Sequence, residues 1–82
     1  MFEVGHVFKR NGIDYCVIDI IKYNNKEYLL LSNDVGGIDY DFYLLSKPND
    51  SQLRLSKVTD EKLELQLMNL FYDRMGKGEK NG

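Results

Sequence analysis

The sequence predicts a single α+β domain, a strongly twisted antiparallel meander of about five strands followed by one C-terminal helix. Three observations predict it. Short runs rich in Val, Ile, Leu, Tyr and Phe succeed one another as far as Val58, strong turn signals separate them, and a stretch of helical apolar periodicity closes the chain. The length agrees, because 82 residues can bury only about 60 to 65% of the surface their unfolded chain exposes, enough for one core.

The first turn is Asn11-Gly12, a strong hairpin signal because both central residues of a type I′ turn need positive φ. A two-residue loop sets Lys9 opposite Asp14, Phe8 opposite Tyr15 and Val7 opposite Cys16, so a charge pair and an aromatic pair are both matched. The second turn is Asn24-Asn25. It sets Lys22 opposite Glu27, Ile21 opposite Tyr28, Ile20 opposite Leu29 and Ile18 opposite Leu31. Strands are thus expected near residues 4 to 10, 13 to 23 and 26 to 32.

Alternation along these strands divides the side chains between two faces. One carries Val7, Cys16, Ile18, Ile20, Leu29 and Leu31; the other carries Phe2, Val4, Phe8, Tyr15, Val17, Ile21, Tyr28 and Leu30, with His6 and Asp19 among them. Neither face is polar, so both need a cover. Either the sheet curls toward a small barrel around its aromatic face, or that face pairs with another molecule.

After the loop Asn33-Asp34-Val35-Gly36-Gly37, a fourth strand is expected from about Ile38 to Leu45, with Tyr40, Phe42 and Leu44 on one side and Tyr43 and Leu45 on the other. Lys47-Pro48-Asn49-Asp50 reads as a turn. A fifth strand, Gln52 to Val58, is apolar on one face only, as an edge strand is. Thr59 or Asp60 caps the helix, Asp60 and Glu61 fill its first turn, and Gly76 stops it. The domain is therefore expected to span residues 1–75, with a disordered tail over 76–82.

At about 100° per residue, Leu63, Leu67, Leu70, Phe71, Met68 and Tyr72 share with Leu65 and Met75 an arc wider than half the helix circumference. Covering a sheet requires little more than 100°. If Leu63, Leu67, Leu70 and Phe71 face the sheet, Leu65, Met68 and Tyr72 remain as a candidate interaction surface.

Catalytic candidates are sparse. His6 is the only histidine and reads as a strand histidine beside Phe8 and Tyr15; Cys16 reads as a small buried hydrophobe on the opposite face, so the two do not form a dyad. Asp19 places a carboxylate on an apolar, aromatic face, where a sheet-rim position beside a tyrosine hydroxyl or water accounts for it. His6 and Asp19 are the polar-site candidates, and a small-ligand binder would need a pocket near both. The acidic loop from Asn33 to Asp41 lacks the alternating ligands and terminal Glu of a calcium-binding EF-hand. No catalytic residue, metal or cofactor is assigned.

Eleven basic against thirteen acidic residues give a net charge of −2, which makes nucleic acid a poor partner, and the six tyrosines lack the interleaved cations of a base-stacking platform. A nucleic-acid-binding small barrel is thus an alternative reading that the charge disfavours. A single cysteine cannot form an internal disulfide, no long apolar run spans a membrane, and the N-terminus lacks a signal-peptide pattern, so a cytoplasmic location is expected.

The order of motifs resembles the YrzB-like family of small uncharacterised bacterial proteins, found in the Firmicutes. The resemblance runs from the Asn11-Gly12 hairpin through Lys26-Glu27-Tyr28-Leu29-Leu30 to Leu53-Arg54-Leu55-Ser56-Lys57-Val58-Thr59-Asp60-Glu61, which leads into the terminal helix. It implies no activity. The expected function is a non-enzymatic protein-interaction module of a bacterium or bacteriophage, with a homodimer as one form of that interaction.

Overall fold

A computed structural model describes residues 2–33, 40–49 and 52–79. Residue 1, residues 34–39 with most of the acidic segment, residues 50–51 of the expected turn and residues 80–82 of the expected tail lie outside the described residues. The elements are β1 (Val7–Arg10), β2 (Ile13–Tyr23), β3 (Lys26–Ser32), β4 (Tyr40–Asn49), β5 (Gln52–Lys57) and α1 (Glu61–Glu79). The strands form one antiparallel sheet in the order β1-β2-β3-β4-β5. It is an α+β fold with a curled, half-barrel sheet and one C-terminal helix.

Turn chemistry sets both leading hairpins. Asn11 and Gly12 have φ values of 54° and 78°, and Asn24 and Asn25 have 53° and 63°, so each is a type I′ turn. Beside the first, Val7 faces Cys16, Phe8 faces Tyr15 and Lys9 faces Asp14. Beside the second, Ile20, Ile21 and Lys22 face Leu29, Tyr28 and Glu27.

The expected register fails at one point. Val17 faces Leu31 and Asp19 faces Leu30, leaving Ile18 as the extra residue of a β-bulge. One inserted residue reverses every side chain beyond it. The faces are therefore partitioned differently from plain alternation: Tyr15, Val17, Leu29, Leu31 and Tyr43 form one buried cluster, with Ile20 against it. Ile21, Tyr28, Leu30, Phe42 and Leu67 form the other, with Ile18 against it.

Both apolar faces are covered, each by a different device. The first cluster lies on the inner face of the curl, where Phe2, Phe8, Leu45 and Leu55 add to it. The curl brings β1 to β5: the Arg10 guanidinium donates to the Leu55 carbonyl at 3.2 Å and lies 5.7 Å from the Tyr43 ring centroid. The second cluster lies beneath α1, which contributes Leu63, Leu67, Met68, Leu70 and Phe71.

Four local expectations change. β1 starts at Val7, because Gly5 takes φ 91° in a turn closed by His6 N–H donating to the Glu3 carbonyl at 3.0 Å, and Val4 is left exposed. β4 runs on to Asn49, which pairs with Gln52, so Lys47 to Asn49 is strand rather than turn, with a register shift after Ser46. Cys16 is half-buried, in the row of the exposed Val7. Finally, α1 passes Gly76, which does not take the positive φ that ends a helix there, and continues to Glu79.

At the other end, Asp60 is the cap: its carboxylate accepts from the Lys62 N–H at 3.0 Å and its carbonyl from the Glu64 N–H at 2.9 Å. Val58, buried, still donates to the Phe42 carbonyl at 2.9 Å, so the sheet ladder leads the chain straight onto the helix face.

Candidate functional site

The polar candidates do not meet. His6 is exposed beside β1 and packs edge-on to Phe2 at 5.9 Å on the inner-face side. Asp19 lies on the helix face. It faces Leu30 in the register that the Asn24-Asn25 turn sets, and its carboxylate Oδ1 accepts from the Ile20 N–H at 2.8 Å and pairs with the Arg74 guanidinium at 3.1 Å. The same Arg74 Nη1 donates to the Ile20 carbonyl at 2.8 Å. This buried carboxylate is thus satisfied by a cation from α1 rather than by a tyrosine hydroxyl or water, and it pins the C-terminal half of the helix to β2. Arg74 carried a readable signal: on a helical projection it falls among Leu63, Leu67 and Leu70, a cation on the sheet-facing side.

On the inner face the aromatic residues serve one another. Phe8 stacks on Tyr15 at 5.7 Å, and Tyr15 meets Tyr43 edge-on at 6.1 Å. Burial, reinforced by the Tyr15 hydroxyl and phenolate and by Asp41, pushes the Tyr43 phenol above its ordinary value, against a smaller opposing pull from Arg10.

The helix face is where surface is left over. Five strands spaced roughly 4.8 Å apart make a sheet about 19 Å across, whereas one helix covers a strip about 10 Å wide. The shortfall is an apolar groove of about 350 Å³ along one flank of α1. Ile18, Leu30 and Phe42 line it from the sheet, and Met68, Phe71 and Met75 from the helix. Tyr40 and Tyr72 complete its walls, 53% and 58% exposed. Among the described residues, Glu64 is the one charged residue of the lining.

Of the three expected surface residues, Leu65 is 62% exposed and Tyr72 stands at the groove, while Met68 is half-buried against the core cluster and forms the groove wall. Sequence reasoning missed the sheet's share. Ile18 reaches this face only through the bulge, and Tyr40 and Phe42 become neighbours of the helix only once strand order is known.

Among the described residues no group of three or more His, Cys, Asp or Glu side chains is placed to hold a metal ion, and no helix is long and apolar enough to cross a membrane. No family model, curated protein or solved structure matches the chain.

Proposed function

We propose that this chain is a non-enzymatic protein-interaction module that docks another protein, or a second copy of itself, through the groove beside α1. The observation that carries the reading is that the exposed apolar side chains Tyr72, Met75 and Tyr40 belong to a groove whose lining among the described residues is almost wholly apolar, while Leu65 adds exposed apolar surface on the same helix. Exposed apolar surface rimmed by polar residues marks interaction sites, and tyrosine is a residue type on which such sites rely. The resemblance of the motif order to the YrzB-like family supports a bacterial or bacteriophage source, and a cytoplasmic location fits the single cysteine.

Sedimentation equilibrium over a wide concentration range, on the wild type and on Leu65→Glu and Tyr72→Glu, tests the surface. Variants that keep the wild-type circular dichroism and melting temperature place both residues outside the core, and loss of concentration-dependent mass in them identifies self-association through this face. A strictly monomeric wild type with variants that unfold makes these residues core and overturns the reading.

A further inference from the structure

The outer side of β2 is covered along only part of its length. β1 pairs with Ile13 to Cys16, and the Gly5 N–H and His6 carbonyl extend the pairing to Val17 at 2.7 and 2.9 Å, after which the turn at Gly5 ends it. Among the described residues no strand lies beside Ile18 to Tyr23 on that side. The turn at Asn24-Asn25 decides which backbone groups face outward there. Tyr23 and Lys26 flank it, and in a two-residue type I′ hairpin the flanking pair is hydrogen-bonded. Bonded and non-bonded pairs alternate from that point, so Ile21 and Tyr23 direct their N–H and C=O toward β3, whereas Ile20 and Lys22 direct theirs outward.

Both outward groups of Ile20 are taken by side chains. Asp19 Oδ1 accepts from its N–H at 2.8 Å, Arg74 Nη1 donates to its carbonyl at 2.8 Å, and the two side chains are joined at 3.1 Å. One acceptor and one donor side by side are what a residue of a neighbouring antiparallel strand supplies. Holding α1 in place requires the ion pair alone; the two backbone contacts are additional, and both go to one residue. We infer that the Asp19–Arg74 pair is an edge closure: it stands in for the strand missing beside the second half of β2 and keeps that edge from pairing with the same edge of a second copy. The stretch complements itself. Set antiparallel about a twofold axis at Ile21, Ile20 of each chain lies opposite Lys22 of the other, so the outward groups make four hydrogen bonds and lysine faces isoleucine rather than lysine. Ile18 to Tyr23 also contains no glycine or proline and is rich in β-branched side chains. This role is independent of the groove on the flank of α1.

Sedimentation equilibrium and residue-resolved amide exchange, on wild type and on the double variant Asp19→Ala/Arg74→Ala, test the closure. Removing both partners leaves no unpaired buried charge, so the double variant should keep the wild-type circular dichroism. At low concentration its Ile20 amide should exchange about tenfold or more faster than in wild type. As concentration rises it should gain mass that wild type does not, with protection returning at Ile20 and Lys22, whereas association through the groove leaves these two amides unchanged. Adding Lys22→Pro removes an outward N–H without breaking a ladder bond to β3, and should abolish the gain in mass. Unchanged Ile20 exchange, or a double variant that unfolds, would overturn the closure. A folded double variant that gains no mass, or gains it without protection at Ile20 and Lys22, would overturn self-pairing through this edge.

Discussion

The inner face of the sheet buries Val17, Leu29 and Leu31 almost completely and joins its own edges through Arg10, whereas the helix face leaves Tyr72 and Tyr40 exposed at an apolar groove, with Leu65 exposed on the same helix. Both faces began with the same problem, an apolar surface on each side of a short meander. A curled sheet supplies its own cover from its far strands. A single straight helix covers only the strip it lies on. Stability in this chain should therefore concentrate on the inner face and beneath α1, and binding along the helix flank.

The largest effect that sharpens this contrast is a truncation pair. Leu29→Ala, at a position with 0% exposure, is expected to lose about 2–5 kcal/mol in urea denaturation, while Leu65→Ala should stay within about 0.5 kcal/mol of wild type. Similar losses at the two positions would erase the distinction.

Next comes the turn that carries Phe8 and Arg10 to the inner face. Gly12 has φ 78°, so Gly12→Val should cost about 1–3 kcal/mol through strain at a positive φ. An unchanged melting temperature would show that the hairpin tolerates another turn geometry.

A smaller effect separates anchoring of the helix from its apolar contacts. Arg74 is more than half exposed in its pair with Asp19, so solvent screening limits the pair, and Arg74→Ala should cost on the order of 1 kcal/mol. A double-mutant cycle with Asp19→Asn should show coupling; strict additivity would mean that the helix is held by its leucines alone.

The smallest effect is a pH dependence peculiar to the inner face. Folding raises the Tyr43 pKa from 10.0, so the folded state holds that proton more tightly than the unfolded chain. Its contribution is fully present below pH 10 and declines as pH rises through 10 toward the folded value. Chemical denaturation between pH 9 and 11 should show wild type losing stability more steeply than Tyr43→Phe, and parallel curves would remove Tyr43 from the account.

Where turn chemistry speaks, the sequence is legible to the residue: Asn11-Gly12 and Asn24-Asn25 determine their registers because few other residues accept those φ values. The bulge at Ile18 has no such signature. No glycine or proline marks it, and it is favoured only because it delivers Ile18 to the helix face beside Asp19, a benefit that exists once α1 is in place. The same dependence hid the pairing of Asp19 with Arg74, two residues each out of character on its own element. Half of the groove was readable from the helical projection, which sets Leu65 and Tyr72 apart from Leu67. The other half belongs to strand order. Gly76 misled because a glycine ends a helix only when it takes a left-handed conformation, and this one does not.

The link from Arg10 to Leu55 also bears on how the molecule meets its own kind in concentrated solution. A meander has two outer strands, each a row of backbone groups that another chain could extend into a growing sheet. Here the two outer strands are drawn toward each other, and one carbonyl of β5 is already occupied by a guanidinium. Lys9 on β1, and Arg54 and Lys57 on β5, add exposed cations along these margins. An incoming strand would have to displace Arg10 and accommodate those charges, so the curl that completes the core also guards the chain against polymerising through its edges.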